Sequence, residues 1–64
     1  MIRVNGDDRP WSGGTVADLV SEIGVSPRGI AVALDGSVVA RSLWATTEVT
    51  EGAVVEVVTA AAGG

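Results

Sequence analysis

The sequence predicts an α+β fold: a mixed five-stranded sheet, ordered ββαββ with a final β, and one main helix packed across one of its faces. Three observations predict it. Two-residue hairpin signals stand at Asn5-Gly6 and Asp35-Gly36, one capped amphipathic stretch lies between them, and a valine-rich run follows near residue 55.

Ile2 and Val4 alternate with Arg3, the pattern of a strand with one buried face. Asn5-Gly6 is the strongest kind of short hairpin signal, and Asp7-Asp8 keep that turn polar. The returning strand is expected around Arg9-Pro10-Trp11-Ser12, short and at a sheet edge, because proline cannot donate to a ladder. Gly13-Gly14 break the chain and Thr15 starts the helix. The Thr15 hydroxyl can accept from the Asp18 N–H, and Asp18 sits in the first turn near the positive end of the dipole. Val16, Leu19, Val20 and Ile23 then follow the spacing of a single apolar stripe. Gly24 supplies the left-handed residue that ends the helix and places Val25 to pack back on Val20.

Ser26-Pro27-Arg28-Gly29 reads as a loop, and Ile30 to Leu34 as a strand with large residues on one face and alanines on the other. Asp35-Gly36 turns the chain into Ser37-Val38-Val39-Ala40. Arg41-Ser42-Leu43-Trp44 is expected to make a short helical turn, with Leu43 or Trp44 closing one end of the core. Thr50-Glu51-Gly52 leads into the last strand, Ala53 to Thr59. Burying an unpaired Glu56 would cost several kcal/mol, so Val55 and Val57 face the core. Val54, Glu56 and Val58 then lie on the open face. The same alternation sends Ile30, Val32 and Leu34 inward and leaves Ala31 and Ala33 outside.

Sixty-four residues make one domain, read as a body over 1–59 and an extended tail over 60–64. The chain has no Cys and no His, which removes the commonest nucleophilic, acid–base and metal-ligating side chains. No metal site is expected, and the chain is expected not to be an enzyme. Its net charge of −4, from four Arg, no Lys and eight acidic residues, disfavours nucleic acid and suits basic protein surfaces as well as plain solubility. The absence of lysine would spare an activated acyl group from attack, but a genome biased toward Ala, Gly, Val and Arg accounts for it more simply. Met1 to Asn5 do not read as a signal peptide, and no run approaches the ~20 apolar residues of a membrane span. A soluble, cytoplasmic protein, monomeric when free, is the expectation. Trp11 and Trp44 are expected to pack at the core edge. Asp7, Asp8, Asp18 and Glu22 read as solvated surface.

The tail Ala60-Ala61-Ala62-Gly63-Gly64 has no large or charged side chain. Extended, five residues reach roughly 16 Å. Gly63 and Gly64 lack a Cβ, so a narrow channel in a partner could pass them and reach a carboxylate on Gly64. Small residues at a terminus commonly mean only a frayed end; behind a ββαββ-β chain of this size they take on a function.

On these residues the chain resembles the sulfur carrier proteins of thiamin biosynthesis, the ThiS type, along nearly its whole length. The resemblance is carried by Val4-Asn5-Gly6, by Thr15-Val16-Ala17-Asp18-Leu19-Val20 and by Gly29 to Gly36. It continues through Arg41 and Trp44, Gly52, Glu56-Val57-Val58, and Gly63-Gly64. Ala40, Ala53 and Ala61 depart from it, standing where the family commonly has proline, aspartate and a larger aliphatic residue. The resemblance implies a ubiquitin-like β-grasp fold. It also implies that a ubiquitin-activating-type enzyme, of the ThiF type, adenylates the Gly64 carboxylate with ATP. Sulfur from a cysteine desulfurase persulfide then displaces AMP, and a thiazole synthase of the ThiG type takes it from the resulting thiocarboxylate. ATP is consumed by the partner, and the carrier itself needs no cofactor. Ala61, Ala62 and Gly63 would thread into the partner. In a β-grasp sheet the strands holding Ala31 and Val58 are neighbours, so Val54, Glu56, Val58, Ala31 and Ala33 are expected to form the docking patch. A carrier for molybdopterin, cysteine or siderophore formation, a ubiquitin-like protein modifier, and a plain interaction domain are the other readings.

Overall fold

Both hairpins close on two residues held in the left-handed region, which is why Asn or Asp followed by Gly occupies them. In a computed structural model that describes residues 1–59, φ is 51° at Asn5 and 87° at Gly6, and 49° at Asp35 and 87° at Gly36. Two successive positive φ values match the right-handed twist of the flanking strands. The first hairpin joins β1 (Ile2–Val4) to β2 (Asp7–Arg9), with Val4 opposite Asp7. The second joins β3 (Ile30–Leu34) to β4 (Ser37–Val39), with Leu34 opposite Ser37.

A two-residue turn corrects the expected position of β2. Asp7 and Asp8 are the strand itself and not part of the turn, and Pro10 follows the strand's last residue, Arg9. The edge placement holds, because the strand order is β2-β1-β5-β3-β4. The last strand, β5 (Val54–Thr59), occupies the middle of the sheet. It runs parallel to β1 and antiparallel to β3, which makes the sheet mixed.

Helix α1 (Val16–Ile23) is capped at both ends as its sequence predicts. The Asp18 N–H donates to Thr15 Oγ1 at 3.2 Å while the Thr15 N–H donates to Asp18 Oδ2 at 2.9 Å. This reciprocal pair satisfies two N–H groups that a helix start leaves without partners. Gly24 ends the helix at φ 86°, its N–H donating to the Val20 carbonyl at 3.2 Å. Val25, expected to pack back on Val20, is exposed, and the two line one cleft together with Pro27 and Trp44.

The apolar stripe of α1 packs on the inner face of the sheet. Val16, Leu19 and Val20 are buried together with Ile2, Val32, Val49, Ala53 and Val55, and Ile23 is half-buried against them. A 3₁₀ turn (Arg41–Leu43) delivers Trp44 to close one end. Trp44 is 6% exposed and its neighbour Leu43 52%, so the tryptophan is the closing residue. Its Nε1 donates to the Val39 carbonyl at 3.0 Å, and the Arg41 guanidinium lies 5.4 Å from its ring centroid. Trp11 is half-buried at the core edge, with Nε1 donating to the Val49 carbonyl at 2.8 Å. Each indole therefore buries its ring without orphaning its N–H.

Ala40 is exposed, with φ −59° and ψ 140°, close to the φ that a proline ring imposes. Ala40→Pro is therefore expected to raise stability by about 0.4–1 kcal/mol by restricting the unfolded chain. A urea melt reads the change, and a lowered midpoint would contradict it.

Candidate functional site: the outer sheet face and the end of β5

The face of the sheet turned away from α1 is built by strand register. Ala31 stands opposite Val58 and Ala33 opposite Glu56, as alternation from a buried Val32 and Val55 requires. Val54, Glu56 and Val58 are all exposed, and the two alanines beside them are half-buried and keep the surface flat. The structure thus brings together Val54, Glu56, Val58, Ala31 and Ala33 on one face, as the sequence predicts.

Val38 joins them, and the sequence reading missed it. It pairs with Ala33 across the β3–β4 hairpin and is the most exposed large apolar residue of the described chain, at 77%. Two consecutive valines, Val38-Val39, do not announce a face by alternation. The missing signal was the turn: a two-residue loop at Asp35-Gly36 fixes Leu34 opposite Ser37 and hence Val38 on the outer side.

Charge on this face is unevenly partnered. Arg3 lies beside Val54 in the parallel pair and opposite Asp8 in β2. Its Nε donates to Asp8 Oδ1 at 3.3 Å. Glu56, between Val54 and Val58, has no ion-pair partner among the described residues. It is a carboxylate set within an apolar surface. The other acidic residues mostly have local work: Asp18 caps α1, Glu22 pairs with Arg9 at 3.3 Å, and Glu51 pairs with the Met1 amino group. No group of three or more potential metal ligands gathers among the described residues, and no described helix is long and apolar enough to cross a membrane.

Strand β5 is held from both flanks by the first residues of the two hairpin turns. On the β3 side the Asp35 N–H donates to the Val54 carbonyl at 2.8 Å, and Asp35 Oδ1 accepts from the Val54 N–H at 2.9 Å. On the β1 side the Asn5 N–H donates to the Val55 carbonyl at 2.9 Å. The Asn5 side chain then reaches Val57: Nδ2 donates to its carbonyl at 3.0 Å and Oδ1 accepts from its N–H at 2.8 Å. Both residues read in the sequence as turn formers alone, because bonds to a strand 19 positions away from Asp35 and 52 from Asn5 leave no local trace. The remaining predicted site residues, Ala61, Ala62, Gly63 and Gly64, lie outside the described residues.

The sequence profile of the ThiS family matches residues 2–64. The chain belongs to the ThiS family. The crystal structure of a thiamine biosynthesis protein (ThiS) from Geobacter metallireducens superposes on it with a TM-score of 0.83 at 27% identity, covering 91% of this chain and 90% of that one. The solution structure of a thiamine biosynthesis protein from the same organism gives a TM-score of 0.74 at 28% identity, covering 89% of this chain and 78% of that one. No curated protein sequence matches the chain. Among the described residues, the five-stranded mixed sheet with one α-helix is the β-grasp arrangement of these ThiS structures.

Proposed function

We propose that this ThiS-family chain is a sulfur carrier for thiazole formation in thiamin biosynthesis, with Gly64 as its reactive terminus. The observation that carries the reading is the family match, which runs through both terminal glycines. A carboxylate is a poor electrophile, so a ThiF-type enzyme first joins a Gly64 oxygen to the α-phosphorus of ATP and releases pyrophosphate. A desulfurase-derived persulfide then attacks the acyl carbon and AMP leaves. Cleavage of the intervening S–S bond by a thiol frees the thiocarboxylate, whose sulfur a ThiG-type thiazole synthase takes. The chain contributes the carboxylate and a docking surface, and its partners contribute catalysis and consume the ATP. The cycle runs in the cytoplasm, with the carrier monomeric between encounters.

The outer face serves as the docking surface in this reading. It is apolar, flat and exposed, and it shares β5 with the residues that lead into the tail. Glu56 at its centre asks the partner for a cation, since a buried carboxylate without one is costly.

Val58→Asp tests the docking role. Val58 is 55% exposed and outside the core, so the variant is expected to fold with a thermal midpoint close to the parent. Its KM in ATP–pyrophosphate exchange catalysed by a ThiF-type enzyme is expected to rise about tenfold or more, the effect of losing one central apolar contact and burying a charge. Exchange at the parental rate by a folded Val58→Asp protein would overturn the docking assignment.

A further inference from the structure

The geometry points to Asn5 as a positioning residue for activation of the C-terminal carboxylate, an inference that rests on the sulfur-carrier reading. Pairing between β1 and β5 ends at Val4 opposite Val55, where the hairpin turns away. Strand β5 nevertheless continues through Glu56, Val57, Val58 and Thr59, paired on its other flank with β3. On the vacated flank the Asn5 amide takes the place of a strand residue. One side chain supplies both the donor to the Val57 carbonyl and the acceptor for the Val57 N–H, at 3.0 and 2.8 Å.

The turn alone does not require an amide there. Gly, Asp and Asn all suit the first position of such a hairpin loop, and the second hairpin uses Asp35. The difference follows from what each residue must do. Asp35 serves the Val54 carbonyl with its own backbone N–H, so its side chain need only accept, which a carboxylate does. The Asn5 backbone N–H is spent on Val55, so its side chain must both donate and accept toward Val57. Of these turn-compatible residues only asparagine can do both.

Val57 sits between Glu56 and Val58 of the docking face and two residues before the end of β5. The amide therefore fixes the part of the strand that carries both the docking face and the start of the tail. Residues 60–64 span at most about 16 Å, so the place where β5 ends bounds where the Gly64 carboxylate can reach. Adenylation needs the attacking oxygen within about 3–3.5 Å of phosphorus, and errors of about 1 Å already cost rate. Asn5 thus acts through β5, keeping the Gly64 carboxylate in register with a body docked elsewhere on the same strand.

The test compares Asn5→Gly, which keeps a turn-competent residue and removes both side-chain bonds, with Asn5→Asp, which keeps the acceptor and removes the donor. Thiocarboxylate formation is measured with a ThiF-type enzyme, ATP and a desulfurase, at a temperature where circular dichroism shows each protein folded. For Asn5→Gly, kcat is expected to fall about tenfold with KM within about twofold, since no docking-face side chain changes and β3 still pairs with that part of β5. Amide exchange at Val57 is expected to lose its protection, and Asn5→Asp to fall between Asn5→Gly and the parent. This pattern is the reverse of the KM effect expected for Val58→Asp. Parental kcat in either variant with a freely exchanging Val57 amide would overturn the inference and leave Asn5 a sheet residue only. A parent chain that gains no sulfur would overturn the carrier reading and this inference with it.

Discussion

Leu19→Ala is expected to leave a large part of the chain unfolded at 25 °C. Leu19 is fully buried at the centre of the apolar stripe of α1, in the cluster that holds Ile2, Val32, Trp44 and Val55. Truncating a buried leucine to alanine costs about 3–5 kcal/mol, part from lost transfer and part from the cavity left behind. Stability runs at roughly 0.05–0.15 kcal/mol per residue, which for a chain of this length totals about 3–10 kcal/mol. One side chain therefore accounts for a large fraction of the whole. The cavity cannot collapse easily, because the start of α1 is tied to the body by the Val16 and Ala17 N–H groups, which donate to the Thr47 and Trp44 carbonyls at 2.9 and 3.0 Å. Urea unfolding followed by circular dichroism measures the effect. A loss below about 1 kcal/mol would show that the helix does not carry the core. Val38→Ala, on the exposed outer face, is the matched control and should change stability by no more than about 0.5 kcal/mol.

Local chemistry made most of the fold legible. The hairpins rest on pairs of residues that tolerate positive φ, and the helix on a reciprocal cap, an apolar stripe and a terminal glycine. Each of these signals lies within a few residues of the feature it creates. The inner and outer faces of β5 were legible because one residue, Glu56, cannot be buried alone. What was lost depended on register or on distance. The polar Asp7-Asp8 pair suggests turn and draws the expected β2 too far along the chain, whereas a two-residue loop leaves only Asn5 and Gly6 to turn. Val38 was overlooked for want of the same register argument carried one hairpin further. The choice between Leu43 and Trp44 could not be made, because consecutive residues on a short turn share no periodicity that selects one. The central position of β5, parallel to β1, joins residues about fifty positions apart. Resemblance to a family implied only that β3 and β5 are neighbours; the parallel pairing with β1 leaves no local pattern. The Asn5 and Asp35 side-chain bonds to β5 belong to the same class of long-range feature.

Removing Gly63 and Gly64 is expected to abolish sulfur loading completely while leaving the folded body unchanged. Among the described residues every buried core residue lies between Ile2 and Val55, and β5 ends at Thr59, so the shortened chain should melt with the parent. The outer face would still be present and should still compete with the full chain for a ThiF-type enzyme. What is lost is reach and slimness: the carboxylate left on Ala62 falls about 7 Å short of the Gly64 position and carries a Cβ beside it. Loss of chemistry with retention of stability and binding separates a carrier from an interaction domain, which would function without these glycines.

The most direct test is the intact mass of the full chain after incubation with a ThiF-type enzyme, ATP, a cysteine desulfurase and cysteine. The expected result is replacement of one oxygen by sulfur, placed on Gly64 by fragmentation and absent from the chain lacking Gly63 and Gly64. An unchanged mass in the full chain, or sulfur gained by the shortened one, would contradict the assignment of Gly64 as the sulfur-bearing residue.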